Sequence, residues 1–172
     1  RGGLLNGGVS FGNTDYNDCG VPDAPVQFCE YSWVWKGQTQ LKAQVAYPLP
    51  YSFKVSGTYV GGPGIQQQAT RAYTNAEIQP SLGRPLAGGV ATQVVRILTP
   101  QSQFENRYNQ FDIRFSRVFK LGQASFEPRF DVYNLTNSSS VIGNLAGFGP
   151  SWLRPTDILT ARMIKLGVQV DW

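Results

Sequence analysis

The sequence has no histidine, one methionine and two cysteines. Without histidine there is no Ser-His-Asp hydrolysis, no haem ligated by imidazole and no zinc site that needs His. Charged residues make up only 15% of the chain, against about 25% in typical soluble domains. Acids and bases are interspersed, the formal net charge is +4, and no basic run exists to grip a nucleic-acid backbone. Arg1-Gly2-Gly3 looks like an RNA-binding tripeptide but occurs once. Long apolar runs are also missing, so no segment suffices for a membrane-spanning helix of about 20 residues. A mean hydropathy of −0.24 does not argue against a transmembrane barrel, whose strands are apolar on one face only. The chain opens without Met or a signal peptide, in mid-pattern, and reads as a processed product, a recombinant product or a piece of a longer protein. Its 172 residues suffice for a single domain, 1–172.

Both cysteines, Cys19 and Cys29, lie in a loop-like stretch with Pro22, Pro25 and Gly20. A metal site would need further ligands, so a disulfide is favoured. It would contribute roughly 3 kcal/mol in the chain-entropy model and imply an oxidising compartment.

The informative pattern is strict alternation. Ile164, Leu166, Val168, Val170 and Trp172 share one side of the last segment, while Met163, Lys165, Gly167, Gln169 and Asp171 share the other. Apolar residues at i, i+2 and i+4 would scatter around a helix, so the segment is a strand. The same alternation places Phe126, Pro128, Phe130 and Val132 on one side of a second strand. Further strands carry Phe111, Ile113 and Phe115; Phe53, Val55, Gly57 and Tyr59; Leu41, Ala43, Val45 and Tyr47; and, more weakly, Leu5, Gly7, Val9 and Phe11. The expectation is an all-β, antiparallel, up-and-down sheet of about six strands. Two connections are short (48–50 and 120–123). Three are long (about 13–37, 61–105 and 135–157) and rich in Gly, Pro, Asn, Ser and Gln. The apolar stretch Val94–Leu98 is expected to add strand structure beyond the main sheet.

Short turns at one end and long loops at the other are the pattern of a transmembrane β-barrel wall. Tyr47, Tyr51, Phe119 and Trp172 then fall at the short-turn level as an aromatic girdle. The polar side carries Lys42, Lys54, Asp112, Arg114, Glu127, Arg129, Asp131 and Lys165. Charges in such number belong in a water-filled lumen, because a sandwich core would charge several kcal/mol for each unpaired one. Arg117 breaks the pattern by landing on the apolar side near the short-turn boundary, where it can snorkel.

Four stretches carry a resemblance: Pro80-Ser81-Leu82-Gly83-Arg84-Pro85-Leu86, Asn106 through Arg114, Phe130 through Asn137, and Pro150-Ser151-Trp152-Leu153-Arg154-Pro155 leading through Ile158–Arg162 into the final strand. On these the chain resembles the C-terminal barrel region of TonB-dependent outer-membrane receptors, of the type with a carboxypeptidase-regulatory-like domain. The similarity is strong over the last 70 residues or so and thin over the first 35 or so. The family usually ends in Phe, whereas this chain ends in Trp172. The resemblance implies a bacterial outer-membrane protein that takes up a scarce, unidentified ligand, with this segment supplying barrel wall and extracellular loops. It implies contact with outer-membrane lipid, with the remaining N-terminal strands and plug of the parent chain, and with the barrel-assembly machinery. That machinery would read Ile164, Leu166, Val168, Val170 and Trp172. No enzyme activity, cofactor, metal or nucleic-acid partner is expected.

Six strands are fewer than the eight of the smallest outer-membrane barrels, which leaves two free edges. The alternative is therefore a processed fragment pairing its edges with other copies in an extracellular filament or ring. A soluble secreted β-sandwich that binds glycans is a third reading. Trp33, Trp35 and Trp152 either stack on a sugar or peptide or form an outer aromatic girdle, the latter favoured. Gly61-Gly62-Pro63-Gly64 lacks the Lys-Ser/Thr of a phosphate loop. Asn134-Leu135-Thr136 and Asn137-Ser138-Ser139 fit glycosylation acceptors by pattern alone. Glu127 and Asp131 suggest a carboxylate pair, but pairing with Arg114 and Arg129 accounts for them better.

Overall fold

The structure is a computed structural model, described for all residues except Arg1, Pro22 and Ala24. Arg1 of the opening tripeptide and Pro22 of the cysteine loop thus lie outside the described residues. The chain is all-β with antiparallel strand pairing. The main sheet is built from β1 (Leu4–Ser10), β4 (Gln40–Pro48), β5 (Phe53–Gly62), β8 (Tyr108–Arg117), β10 (Ala124–Tyr133) and β13 (Met163–Asp171), in the spatial order β1-β4-β5-β8-β10-β13. A short strand, β9 (Phe119–Leu121), continues beyond β8 and pairs with the start of β10. Among the described residues the sheet is open: β1 and β13 are each paired on one side only.

Register carries the alternation of each strand across the whole sheet. Leu5 faces Val45, Val45 faces Gly57, and Gly57 faces Ile113. Ile113 then faces Val132, and Val132 faces Ile164. The alternating apolar residues of the six strands thus join one continuous face, while Leu4, Val60 and Met163 fall on the other. The side-chain period of two makes this all-or-none, since a slip of one residue would transfer a strand's whole set to the opposite side. Aromatic contacts reinforce the register. Tyr59 and Phe111 are paired across β5 and β8 with ring centroids 4.5 Å apart, and Phe53 stacks on Phe115 at 5.1 Å. Such cross-strand pairs contribute about 0.2–1 kcal/mol each.

Among the described residues no second layer covers the apolar face. Phe111, Ile113, Phe115, Phe130 and Val168 are exposed, Leu166 to 77% and Trp172 to 96%. Tyr47, Tyr51, Phe119 and Trp172 lie at the short-turn end, all exposed. Arg117 faces Phe53 on this same apolar side. Its guanidinium lies 4.7 Å from the centroids of both Phe53 and Phe119, and Nε donates to the Tyr51 carbonyl at 3.2 Å. The cation is therefore roofed by aromatic rings and a carbonyl.

The three long connections emerge at the opposite end, and each contains a hairpin. The first holds β2 (Thr14–Asn17) and β3 (Glu30–Trp33). The second holds β6 (Thr70–Thr74) and β7 (Thr92–Arg96), with helix α1 (Asn75–Leu82) between them. The third holds β11 (Val141–Asn144) and β12 (Pro155–Ile158). The first part of the apolar stretch, Val94 to Arg96, thus enters a small separate sheet, while Ile97 and Leu98 lie beyond β7. Helix α1 was missed by periodicity reasoning. Its signal was the capping box Thr74-Asn75-Ala76-Glu77, in which the Thr74 amide donates to Glu77 Oε2 at 2.8 Å and the Glu77 amide donates to Thr74 Oγ1. Gly83, at φ 72°, ends the helix in the left-handed region that glycine tolerates.

The few buried apolar side chains away from the sheet, Cys29, Ala69 and Leu86, belong to this loop cluster. The loops also share backbone bonds. The Thr70 amide donates to the Ala146 carbonyl and the Phe148 amide to the Thr70 carbonyl, both at 2.8 Å. Gly64 sits so close to Glu105 that a Cβ there would lie 1.8 Å from its carbonyl oxygen, so the backbones at the base of the second loop touch.

Candidate functional site: a charged sheet face and a loop vestibule

The eight charged residues singled out in the sequence all fall on the face opposite the apolar one. Lys42 faces Gly8, and Lys54 faces Ser116. Arg114 faces Ser56 on one side and Asp131 on the other; Asp131 in turn faces Lys165. Arg129 faces Ser116, and Glu127 faces Gln169. Arg114, Arg129 and Lys165 are therefore on the other side of the sheet from Phe115, Phe130 and Leu166.

Five of these residues form two clusters, Arg114 with Asp131 and Glu127 with Lys54 and Arg129. Arg114 makes a two-pronged contact with Asp131, which is only 5% exposed. Glu127 accepts from Ser116 Oγ at 2.7 Å, pairs with Arg129 at 3.2 Å, and has Lys54 at 3.9 Å. Arg129 also donates to Gln169 on β13. Glu127 and Asp131 are thus each claimed by a cation rather than by one another. Asp112 takes a different part: its Oδ1 accepts the Asn134 amide at 2.8 Å, and both its oxygens accept from Gln110. Lys42 and Lys165 make no ion pair within 4.0 Å among the described residues.

Asn134 closes the top of β10. It is 2% exposed and has φ 50°. Its Nδ2 donates to the carbonyls of Ser138 and Thr160, and its Oδ1 accepts the Ser138 amide. A glycan cannot be attached to this nitrogen without removing those bonds. Asn137, also in the left-handed region, accepts the Arg162 amide. The acceptor-like tripeptides are turn chemistry.

The cysteines are joined as Cys19–Cys29, closing the tip of the β2–β3 hairpin. Asp23, inside that closed loop, receives both terminal nitrogens of Arg84 and the Ala87 amide. The Arg84 hydrogen bond, followed by the Ala87 amide, holds the Asp23 carboxyl below the ordinary aspartate range. The same pairing raises Arg84. Glu77 is likewise lowered, first by the Thr74 amide and hydroxyl and then by Arg71. A second contact joins the same two loops: the Arg96 guanidinium lies 5.5 Å from the Tyr16 ring and 5.1 Å from the Tyr31 ring.

The chain matches no family model, no curated protein and no solved structure.

The tryptophans divide. Trp35 stacks on Phe11 at 5.1 Å, both exposed, at the loop end of the sheet. Trp152 donates through Nε1 to the Gln68 carbonyl and packs on Phe148 within the loop cluster. Trp33 lines a small crevice with Tyr31 and Arg96. Sequence reasoning did not single out Arg96, Tyr16, Tyr31, Asp23 or Arg84 as partners. Only their three-dimensional juxtaposition, between positions 61 to 80 residues apart in sequence, brings them together.

Proposed function

We propose that this chain is the C-terminal wall segment of an outer-membrane β-barrel receptor of the TonB-dependent type. Its three long connections form part of an extracellular vestibule for a ligand to be taken up. What supports this reading is one observation: a single-layered sheet whose two faces suit different solvents. A sheet in water buries its apolar side against a second layer, and an apolar patch spread over six strands is otherwise an interaction surface. Here the apolar face is uncovered while the charged face is knitted by hydrogen bonds. Hydrocarbon outside and a hydrated lumen inside satisfy both. Strands of nine or ten residues, tilted, match the ~25 Å apolar band of such barrels. Lys42, Lys54, Arg114, Arg129 and Lys165 then help set the field in the channel, and β13 offers Ile164, Leu166, Val168, Val170 and Trp172 to lipid and to the assembly machinery. The segment contributes a wall and a vestibule rather than a reaction.

The test uses the parent chain in native outer-membrane vesicles. Lys165→Cys and Leu166→Cys are labelled separately with a charged, water-soluble maleimide. Lys165→Cys reacts quickly and Leu166→Cys reacts only after detergent is added. Equal reactivity of the two in intact vesicles overturns the reading.

The free edges of β1 and β13 favour a second reading, in which copies join edge to edge in an extracellular filament or ring. Electron microscopy of the purified chain without detergent distinguishes them: regular polymers support assembly, and dispersed particles that need detergent support the barrel.

A further inference from the structure

We propose that the cleft between the disulfide-closed hairpin and the β6–β7 hairpin binds a small carboxylate-bearing polyhydroxylated solute, a sugar acid, with Arg96 as the anchor for its carboxylate. The inference deepens the vestibule reading and rests on it for its biological setting.

The cleft has a volume of about 450 Å³, within the ~300–1,000 Å³ usual for small-molecule sites. Arg96 stands on its wall, and also on the wall of the adjoining crevice beside Trp33. Among the described residues Arg96 belongs to none of the five ion pairs. What holds it is the pair of tyrosine rings, Tyr16 and Tyr31, whose centroids are 5.0 Å apart. Attraction to the ring faces restrains a guanidinium without consuming its N–H donors, so those donors remain available to a planar oxyanion.

None of the neighbouring acids pairs with Arg96 within 4.0 Å among the described residues. Asp18, on the same cleft, accepts the Tyr16 hydroxyl at 2.8 Å. Asp23 is taken by Arg84, and Glu77 by Arg71 and the helix cap. Asp18 keeps its charge on the same wall but makes no ion pair with Arg96, so among the described residues Arg96 is a cation of the cleft that no carboxylate contacts within 4.0 Å.

The rest of the wall selects the body of the ligand. Gln27, Gln68 and Gln93 contribute neutral amides able to donate and accept, while Val21 and Val94 supply apolar contact. Amides of both polarities beside small apolar patches suit hydroxyl groups on a carbon ring. A neutral sugar would meet the amides and leave the cation unpaired, so the carboxylate supplies the discrimination.

The experiment is calorimetric titration of the full chain in detergent micelles with glucuronate, glucose and inorganic phosphate. Glucuronate and glucose differ by a carboxylate in place of a hydroxymethyl group. Glucuronate is expected to bind at least tenfold more tightly than glucose, and more weakly as salt is raised. Arg96→Gln reduces glucuronate to the level of glucose, and Arg96→Lys retains part of the difference. Val94→Trp fills the cleft while keeping Arg96 and abolishes binding, which tests the site even where Arg96→Gln disturbs β7. Equal binding of glucuronate and glucose, or wild-type affinity in Arg96→Gln or Val94→Trp, overturns the proposal. Phosphate competing on equal terms with glucuronate means that a bare oxyanion is read, and overturns the sugar-acid assignment. Micelle binding does not depend on orientation in a membrane. An inert cleft in a properly inserted chain is therefore a different result from free labelling of Leu166→Cys.

Discussion

Asp131 and Arg114 stand directly opposite each other on β10 and β8, joined by Nε–Oδ1 at 2.6 Å and Nη2–Oδ2 at 2.9 Å. Asp131 also faces Lys165 on its other side, so one carboxylate separates two cations. Arg114 retains 44% of its side-chain exposure, and solvent discounts the pair accordingly. Arg114→Ala is expected to cost about 1–2 kcal/mol. Asp131→Ala costs more, because it leaves Arg114 and Lys165 on adjacent strands with no anion between them. The double variant loses less than the sum of the two. Urea unfolding in micelles, followed by tryptophan fluorescence, measures all three; strict additivity would show that the pair is not coupled.

Asn134 separates backbone from side-chain effects. Asn134→Ala loses three side-chain hydrogen bonds and must also hold a left-handed backbone, which together cost about 2–4 kcal/mol. Asn134→Gly relieves the backbone and loses only the bonds, so it is the milder of the two. Asn134→Asp keeps the acceptor for Ser138 but sets a carboxylate against two carbonyls, and is expected to be at least as damaging as Ala. Denaturant midpoints rank the three.

The clasp between the first two long loops is pH-dependent. Asp23 has a folded pKa below its unfolded value, so its contribution is fully present above the unfolded value and is lost as pH falls through the folded one. The loss therefore begins below about pH 4, the unperturbed aspartate range. The amide proton of Ala87, which donates to Asp23 at 2.7 Å, is expected to shift upfield by NMR over that acid range. In Asp23→Asn the acid-range transition disappears. A transition centred above pH 5 would contradict the assignment.

Reducing Cys19–Cys29 should loosen the loops and spare the sheet. The bridge spans ten positions, worth roughly 3 kcal/mol by loop-closure entropy. Because Asp23 sits inside that loop, Cys19→Ser with Cys29→Ser is expected to speed hydrogen exchange at 14–33 and also at 84–88. Exchange in β8 and β10 stays unchanged. Faster exchange confined to 19–29 would show that the clasp does not depend on the bridge.

The sheet was legible because its signal repeats. Phe111-Ile113-Phe115 and Ile164-Leu166-Val168-Val170 alternate without interruption, and both segments lie within strands of nine or ten residues. The first strand was weaker to read because Gly7 interrupts its apolar side and Gly8 its polar side, and its span is Leu4–Ser10 rather than residues 5–11. The hairpins β2–β3 and β11–β12 left no such trace. They are four residues long, too short for alternation to stand out. The charged face was legible for the same reason as the apolar one. Its pairings were legible only in part: Arg114 with Asp131 follows from the alternation once β8 and β10 are paired, whereas Asp23 with Arg84 depends on how two irregular loops fold back. Arg96 was noted only as part of an apolar stretch, since nothing in the spacing brings Tyr16 and Tyr31 to it.

A layer that is one strand thick has two outsides and no interior in which an error can hide. One residue inserted at the Gly122–Gln123 turn would force β10 to choose between keeping its ladder with β8 and keeping its polarity. If the ladder won, Glu127, Arg129 and Asp131 would move to the apolar face beside Phe115 and Leu166 while Phe130 and Val132 turned to the charged one. A lengthened loop end, by contrast, merely enlarges the rim, so growth of this molecule is free at one end and forbidden at the other.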